Sequence, residues 1–421
     1  MKVLLFGNIG TDKLGYYHVG DEAMFQAVYH FYHKYLPSVK LGTLVSSSLY
    51  KNSKLDERLD IPWPEDVISA RLYFYKLIFK SYLLKYFKIS LFSPAQQQFV
   101  RFVRSHNLIH LFGGGYLTSE CGGWMYYGLL MIKLGSIFRI RTILTSHTIG
   151  PFNNMVDRQI SRSVLNTASY ISLRTESDLQ TDDLIKQGIV NPSIFTSLDA
   201  AYFLETDTSL SHNFAKQRAV LRVGLSLHGT SKDIHLLQQL LITNLTKLSQ
   251  KRKIEVMLLP HIIHEQIPWD LSFMQSVLST LPSSIKVITP KYSSHSKDLS
   301  GIARMVKGLT STCDIAISTR YHGVVFALSQ SIPCLSIISN RYQVMKNSEA
   351  LRFVFGENIN PYLFSLHDQA TVTNFARSLS ILATNHKSVS SYISKQNQKL
   401  KKQNDKYLVD LAKLIMRDTI S

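Results

Sequence analysis

The chain has 421 residues, of which 45% are hydrophobic, so it can form two or three domains with ordinary packed cores. Charged residues make up 18%, and together with the apolar content this excludes a disordered chain. Lysine and arginine total 47 against 29 acidic residues, giving a net charge of +18. This charge favours anionic partners, which include phosphate ligands, nucleic acid and an anionic membrane face.

Cysteine content and hydropathy restrict the cellular compartments in which the protein is expected. Cys121, Cys313 and Cys334 are too few for a disulfide framework and lack the spacing of structural zinc sites, which indicates a reducing compartment. No apolar run reaches the ~18 residues of a transmembrane helix, and the first residues are typical of a β-strand rather than a signal peptide. We therefore expect a cytoplasmic protein.

The first predicted strand, residues 3–6, leads into a glycine-bearing loop and then a helix from Ala23. Glycine lets backbone approach a ligand closely, and an aspartate in such a loop can cap the helix. The glycines are too far apart for a dinucleotide-binding fingerprint. We interpret the loop as lying near a substrate, with a purely structural turn as the alternative. Its candidate residues are His18, Gly20, Asp21 and Glu22.

Residues 70–92 combine aromatic, aliphatic and lysine side chains and contain no acidic residue. Lys76, Lys80 and, nearly in phase, Lys88 form a stripe at helical spacing. One interpretation is a helix lying in the inner face of the membrane, with its lysines at the level of anionic headgroups. The other is an internal helix of the first domain whose lysine stems lie along apolar surface.

Predicted strands of the first half end in residues suited to ligand binding. Strand 108–112 ends in Gly113-Gly114-Gly115, strand 142–146 in His147, and strand 171–173 in Arg174. Consecutive glycines are unfavourable unless backbone must lie close to another group. Residues 205–219 are polar and aperiodic, which predicts a linker after an N-terminal Rossmann-like domain of residues 1–204.

The second half repeats the alternation of strands and helices. Strands are predicted at 220–227, 254–259 and 285–288, and helices near 233–250 and 299–309, with His261 following the second of these strands. We place a C-terminal Rossmann-like domain at 220–385 and a basic closing helix at 386–421. Alternation in both halves predicts an α/β fold with two doubly wound parallel sheets.

The most informative stretch is 313–335, where a predicted buried strand is followed by Arg320, His322, Gly323 and an apolar helix. A guanidinium and an imidazole are therefore expected at the carboxyl end of a strand and the amino end of a helix. Open α/β sheets bind ligands there, and an anion is favoured. The alternative is a βα loop with a solvated arginine and a capping histidine. Residues 341–346 are then predicted to form a polar loop.

Taken in order, these motifs resemble the polysaccharide pyruvyltransferases over nearly the whole chain. The matching pieces are Gly20-Asp21-Glu22-Ala23, Gly113-Gly114-Gly115-Tyr116-Leu117, Ile149-Gly150-Pro151-Phe152, Arg174 to Ser177, Asp199-Ala200, Arg320-Tyr321-His322-Gly323 and Lys346. No single piece is specific to this family, but the order and spacing of the pieces along the chain are specific to it. Two departures are His18, where the family usually has asparagine, and Thr175, where it has aspartate.

The resemblance implies transfer of a pyruvyl group from phosphoenolpyruvate to sugar hydroxyls, forming a pyruvate ketal. The acceptor would be a cell-surface polysaccharide or its lipid-linked precursor, and no cofactor or metal is expected. The family's fold is similar to that of two-domain GT-B glycosyltransferases, which implies two Rossmann-like domains facing a cleft that holds the site.

Residue types suit that chemistry. Arginine makes bidentate bonds to phosphate and carboxylate, the two anions of this donor. Histidine titrates in the range that general acid/base catalysis needs. We assign His322 first and His147 second to catalysis, Arg174, Arg320, Lys346 and Gly113 to Gly115 to donor binding, and His18, Gly20, Asp21, Glu22 and His261 to the substrate loop.

Two further hypotheses come from other classes of function. One is a nucleotide-sugar-dependent glycosyltransferase of the same fold, using Arg320 for the diphosphate. The other is a non-catalytic protein that docks to membrane or polymer through residues 70–92 and its positive surface. Nucleic-acid binding is not expected, because the basic residues are spread along the chain and no motif carries them.

Overall fold

The computed structural model describes most of the chain. The described residues are 1–8, 16–45, 55–60, 64, 66–174, 183–191, 193–209, 214, 219–264, 269–290, 301–368 and 370–417. Three predicted features fall outside them wholly or in part: the first loop at 9–15, the motif residues 175–177, and most of the linker at 205–219.

Two compact units make up the fold. The first comprises Met1–Leu14, Met24–Ala200 and Asn404–Ser421, and the second comprises Gly15–Ala23 and Ala201–Gln403. These contacts add two features to the predicted domains. A short segment from the first half packs with the second unit, and the end of the chain packs with the first.

Strands and helices alternate along both units. The strands are β1 (Lys2–Phe6), β2 (Tyr17–His18), β3 (Lys40–Val45), β4 (Glu57–Asp60), β5 (Leu108–Phe112), β6 (Arg141–His147), β7 (Tyr170–Leu173), β8 (Ile194–Thr196), β9 (Leu221–Ser226), β10 (Ile254–Leu258), β11 (Ile262–Ile263), β12 (Lys286–Ile288), β13 (Ile315–Ser318), β14 (Cys334–Ile338) and β15 (Leu363–Ser365). The α-helices are α1 (Val19–Tyr35), α2 (Val67–Tyr82), α3 (Pro94–Arg104), α4 (Gly123–Phe138), α5 (Met155–Leu165), α6 (Ser231–Ser249), α7 (Trp269–Val277), α8 (Ile302–Thr310), α9 (Tyr321–Ser329), α10 (Arg341–Phe355) and α11 (Thr371–Arg417).

Each unit is built on a parallel sheet. The sheet of the first unit has the order β4-β3-β1-β5-β6-β7-β8, and that of the second has the order β12-β10-β9-β13-β14-β15. Central strands of both sheets are buried along their whole length, which explains their continuous apolar sequences. The predicted α/β fold class with two parallel-sheet domains is confirmed.

Each unit also has its own hydrophobic core. In the first, α4 is buried along most of its length and packs on the sheet and on α2. In the second, α6 and the start of α11 contribute leucine and phenylalanine side chains to the core, together with β9 and β10. Within the described part of the chain, no helix has the length and apolar character needed to span a bilayer.

Two predictions about loops are wrong. The helix predicted from Ala23 begins at Val19, so Gly20, Asp21 and Glu22 form its first turn, where acidic side chains are favoured by the helix dipole. The polar loop predicted at 341–346 is the start of α10. The Asn340 side chain caps that helix by accepting a hydrogen bond from the Gln343 amide at 2.9 Å, so polar residues continue into helix rather than loop.

Candidate functional site

The sheet of the second unit reverses its strand order between β9 and β13. The chain runs outward from β9 through β10 to β12, then returns to β13 and runs outward through β14 to β15. Open α/β sheets bind ligands outside the carboxyl ends of strands at such a reversal. Ser226 ends β9 and Ser318 ends β13, so the stretch that holds Arg320 and His322 follows directly at this edge.

Side-chain hydrogen bonds fix the turn from β13 into α9. The Ser318 hydroxyl donates to the Ser226 carbonyl at 3.0 Å, and the Arg320 amide donates to Ser318 Oγ at 3.0 Å. Glycine is needed at position 323, because a Cβ there would lie 2.2 Å from Ser318 Oγ and 2.8 Å from Ser226 Oγ. The amino end of α9 is therefore held against the two strand ends.

Asp270, in the first turn of α7, holds the guanidinium of Arg320. Arg320 Nε donates to Asp270 Oδ2 at 3.2 Å, and Nη2 donates to Oδ1, so the ion pair is bidentate. Asp270 is fully buried and also accepts the backbone N–H groups of His261 at 2.9 Å and Ile262 at 2.8 Å. Although burial alone would raise the pKa of Asp270, the charge of Arg320 holds it well below its usual range.

This ion pair orients Arg320 without enclosing it. The Arg320 side chain is still 19% exposed, whereas that of Asp270 is 1% exposed. None of the described residues accepts a hydrogen bond from Arg320 Nη1. The guanidinium is thus fixed on one edge and can bind an anion with the other.

His261 lies between the ends of β10 and β11, beside the same strand ends. Its Nδ1 is 2.8 Å from Ser226 Oγ and 3.1 Å from the Leu259 carbonyl oxygen. Because that carbonyl can only accept, this contact favours a proton on Nδ1 and leaves Nε2 as an acceptor. Nε2 is buried and has no hydrogen-bond partner in the described structure. Burial lowers the pKa of His261 to about 4, so the ring is neutral at neutral pH.

His322 lies in the first turn of α9 with its ring against the backbone of Gly20. A Cβ on Gly20 would lie 1.9 Å from His322 Nδ1, so any other residue at position 20 would displace the ring. The β2 and β11 strands pair antiparallel, with His18 opposite Ile262, and the Val19 amide donates to the His261 carbonyl at 3.0 Å. This pairing brings the first turn of α1 to His322.

Lys346 lies on α10 beside this turn. Its Nζ is 5.2 Å from the ring centroid of Tyr321 and 4.6 Å from that of Tyr342. Both distances suit a cation–π contact. Because Tyr321 lies between Arg320 and His322 in sequence, this contact places a second positive charge near the start of α9.

The sheet of the first unit reverses its strand order between β1 and β5, and the triple glycine follows β5. Gly113 and Gly114 have φ angles of +51° and +95°, which favour glycine. A Cβ on Gly113 would also lie 2.3 Å from Met24 Sδ. Gly114 accepts a hydrogen bond from the Thr148 amide at 3.1 Å, which ties the glycine turn to the loop after β6.

Arg174 and His147 lie inside the first unit. Arg174 is 2% exposed, with Nε donating to Thr148 Oγ1 at 2.6 Å and Nη1 paired with Asp199 Oδ2 at 2.7 Å. His147 is fully buried, with Nε2 3.2 Å from the Leu111 carbonyl oxygen and its ring edge-on to Tyr116. Burial lowers the pKa of His147 to about 3, so this ring is neutral at neutral pH.

The structure thus divides the sequence-predicted residues between the units. One group gathers at the central strand ends of the second unit: Gly20, His261, Arg320 and His322, with His18 and Lys346 nearby. The other, in the first unit, comprises Gly113, Gly114, Gly115, His147 and Arg174. The functional roles assigned to them, and the expected absence of a metal, stay predictions.

Sequence reasoning missed Asp270 and Ser226. Neither belongs to a motif: Asp270 reads as an ordinary acidic residue at the start of a helix, and Ser226 as the end of a strand. The signal that was available for Ser226 is the repeat of serine at the ends of both β9 and β13, the two strands that flank the reversal. No sequence pattern pairs Asp270 with Arg320, 50 residues later.

A model of the polysaccharide pyruvyl transferase family matches residues 18–341. The match begins at the end of β2 and stops at the start of α10, so it includes every strand from β3 to β14. No curated protein shows significant sequence similarity to this chain.

Solved structures with a similar fold include UDP-N-acetylglucosamine 2-epimerases and glycosyltransferases. A Listeria monocytogenes protein assigned as a UDP-N-acetylglucosamine 2-epimerase is 11% identical, with a TM-score of 0.57 over 93% of this chain and 90% of that chain. The UDP-GlcNAc 2-epimerase of Neisseria meningitidis is 12% identical, with a TM-score of 0.54 over 96% and 100%. A glycosyltransferase of Rickettsia africae is 12% identical, with a TM-score of 0.53 over 99% of both chains. At these identities the similarity shows the fold alone.

Proposed function

This chain belongs to the polysaccharide pyruvyl transferase family and is a transferase, and we propose that phosphoenolpyruvate is its donor. The pyruvyl group would pass to two hydroxyls of a sugar in a cell-surface polysaccharide or its lipid-linked precursor. The observation that carries this proposal is the meeting of Arg320, His322 and Gly20 at the strand reversal of the second sheet.

Donor binding is assigned to Arg320. Its guanidinium is fixed by Asp270 and keeps an edge open, and a planar fork suits a carboxylate or a phosphate. The amino end of α9 and the ammonium of Lys346 add positive potential on the same side. An anionic donor is therefore favoured at this turn.

Proton transfer is assigned to His322. A proton adds to C3 of the enol and a sugar hydroxyl adds to C2. The bond from C2 to the phosphate oxygen breaks, inorganic phosphate leaves, and a second hydroxyl adds at C2 to close the ketal. Each addition releases a hydroxyl proton, so a single imidazole, which can both accept and donate a proton, serves the whole sequence.

His261 is proposed as a positioning residue for His322. Both rings pack on Phe326, with centroid distances of 5.3 Å for His261 and 6.5 Å for His322. With a pKa of about 4, His261 stays neutral and does not repel a protonated His322.

Residues of the first unit receive supporting roles in this proposal. Arg174 is buried and paired with Asp199, so we propose that it orders the strand ends around the triple glycine rather than carrying the main donor contact. His147, the second candidate for catalysis, would hold the end of β5 through the Leu111 carbonyl. Gly113 and Gly114, with their positive φ angles, would let the chain make the tight turn after β5.

Ligand-induced stabilisation tests the donor. Phosphoenolpyruvate at 100 times its Kd should raise the free energy of unfolding by about 2.7 kcal/mol, and UDP-N-acetylglucosamine should not. Arg320→Ala should abolish the effect, whereas Arg304→Ala, an exposed arginine of α8, should retain it. Stabilisation by the nucleotide sugar alone would favour the glycosyltransferase hypothesis instead.

A further inference from the structure

Helix α2 has two apolar faces, of which only one is covered. Ala70, Phe74, Leu77 and Ser81 are buried, and the helix packs on α4. On the other face, Ile68 is 72% exposed and Phe79 is 62% exposed. A surface helix normally presents polar residues to solvent, so this second apolar face needs an explanation.

The exposed face is a continuous stripe. Ile68, Leu72, Tyr75 and Phe79 follow one another at intervals of four, three and four residues, and each is exposed. At about 100° per residue they lie within an arc of about 60°, roughly opposite the buried positions. We call these four side chains the α2 stripe.

Apolar exposure continues beyond the helix. A π-turn over Leu83–Phe87 follows α2, and Lys88 ends it in the left-handed conformation, with φ of 61°. Across this turn and the segment that follows it to α3, Tyr86, Phe87, Ile89 and Leu91 are between 49% and 68% exposed. The α2 stripe and this segment together make an apolar surface far more concentrated than the scattered exposed residues of an ordinary surface.

Lysines border this surface, and its own segment carries no negative charge, although Asp66, directly before α2, caps the start of that helix. Residues 67–92 contain no aspartate or glutamate. Lys76 and Lys88 are exposed, and neither makes a described ion pair. Arg71, by contrast, is paired with Asp157, and Lys80 donates to Gln96 Oε1 at 2.9 Å, so these two belong to the fold.

We propose that the α2 stripe and residues 86–91 bind an anionic lipid surface. Exposed aliphatic and aromatic side chains bordered by lysine, with tyrosine among them, are the composition of helices that lie in the membrane interface. The missing carboxylates give this surface charge complementarity to anionic headgroups, whereas a contact with another basic copy of this chain would bring lysines together. This proposal does not depend on the donor or on the chemistry of the candidate site.

Vesicle co-sedimentation tests the proposal. The full chain should bind vesicles that contain phosphatidylglycerol, bind phosphatidylcholine vesicles weakly, and lose affinity as salt is raised. Lys76→Gln with Lys88→Gln should weaken binding by about five-fold per lysine. Leu72→Ser with Phe79→Ser should abolish it, while circular dichroism and the unfolding midpoint stay near those of the parent, because both side chains already face solvent.

Matched controls lie on the second unit. Leu236→Ser with Ile381→Ser removes two exposed apolar side chains elsewhere, and Lys247→Gln removes an exposed lysine, so binding should be unchanged. Failure of the parent chain to bind anionic vesicles overturns the proposal. It is also overturned if the variant Leu72→Ser with Phe79→Ser binds vesicles as the parent does. A third contrary result is a parent chain that does not bind vesicles but sediments as a dimer, with the same variant sedimenting as a monomer.

Discussion

Two side-chain contacts set the geometry of the candidate site at the scale of single residues. The Asp270 carboxylate fixes the plane of the Arg320 guanidinium, and the bare Cα of Gly20 leaves room for the His322 ring. Each contact joins a recognisable motif to a residue far away in sequence. The positions of the reactive groups therefore depend on residues that would not touch the substrate themselves.

Gly20→Ala should lower turnover while the fold is retained. The new methyl group would overlap the His322 ring, which must turn away, and a displacement of about 1 Å can reduce the rate by roughly 10²-fold. Pyruvyl transfer kinetics and circular dichroism measure the two effects. Gly301→Ala is the matched control, because no described residue beyond its own chain neighbour lies within 4 Å of its added Cβ. Equal kcat values for both variants would show that His322 needs no such placement.

Asp270→Asn should weaken donor binding more than it lowers kcat. An amide oxygen keeps one acceptor but removes the charge that orients Arg320, and lost charge-assisted bonds are worth about 1.5–3 kcal/mol. Calorimetry with phosphoenolpyruvate should show a Kd raised by about 10- to 100-fold. Asp314→Asn is the control, since Asp314 accepts the Arg222 amide before β13 begins, at the opposite end of that strand. A donor Kd that changes equally in both variants contradicts the assignment.

Sequence alone predicts the reactive residue types but not their partners. Arg320 and His322 are recognisable because a strand, a polar turn and an apolar helix follow one another within 313–335. Asp270 is not recognisable, because its value depends on the tertiary contact with Arg320. The sequence places His147 at a strand end but does not show that it is fully buried, because burial depends on how neighbouring elements pack over the strand end.

At the scale of elements, short pieces of chain hold the second unit together. The two-residue strands β2 and β11 bring the start of α1 to the sheet that carries Arg320.

Helix α8 is held by a buried lysine: Lys307 Nζ donates to the carbonyl oxygens of Ala201, Tyr202 and Leu204 at 3.1, 2.7 and 2.7 Å. That ammonium caps the turn at Ala200–Phe203 with its three donors.

Lys307→Met should destabilise the second unit by roughly 2–4 kcal/mol, because three carbonyl groups would lose their donor. Chemical denaturation should show a lower midpoint, and the donor Kd should be unaffected under native conditions. Lys247→Met, at an exposed position of α6, should leave the midpoint unchanged. Equal midpoints for the two variants would mean that the Lys307 contacts add nothing to stability.

The sequence predicts the strands and helices whose apolar pattern is strong. It does not predict those whose apolar pattern is weak. Strands such as β5 and β13 are buried on both faces, so their sequences are mostly apolar, with His110 and Ser318 as the polar exceptions. Strands β2 and β11 are only two residues long and lack any periodicity. The start of α10 is polar, so its sequence favours a loop unless the Asn340 cap is recognised.

At the scale of the whole molecule, buried neutral histidines make stability depend on pH. Burial lowers the pKa of His110 and His147 to about 3 and that of His261 to about 4, against 6.5 in the unfolded chain. Below pH 6.5 the unfolded chain binds protons that the folded chain does not. The stabilising contribution of these groups is therefore complete above pH 6.5 and is lost progressively as the pH falls to about 4 for His261 and about 3 for His110 and His147.

The free energy of unfolding should consequently fall by about 1 kcal/mol for each of these histidines between pH 6.5 and pH 5.5, and by less between pH 7.5 and pH 6.5. Denaturant titrations at pH 7.5, 6.5 and 5.5 measure it. His110→Gln should reduce the slope in the first unit, because glutamine has no charge to gain. Stability that is constant or rises across this range would contradict the neutral, buried state of these rings.

Two parallel sheets were predictable because strands and helices alternate in both halves of the sequence. Membership of residues 15–23 in the second unit was not, since it depends on the β2–β11 pairing and on the Gly20–His322 contact. Both contacts join segments more than 200 residues apart, and local sequence preference carries no information about them.

The central claim is tested most directly by single-turnover pyruvyl transfer, with phosphoenolpyruvate and a galactoside or mannosaminide acceptor, in the parent chain and two variants. The parent should form a ketal and release one phosphate per transfer. His322→Ala should slow that step by roughly 10²- to 10⁴-fold with an unchanged donor Kd, and Arg320→Ala should chiefly raise the donor Kd. If His322→Ala reacts at the parental rate while phosphoenolpyruvate binds Arg320→Ala normally, the turn after β13 is not the reactive centre.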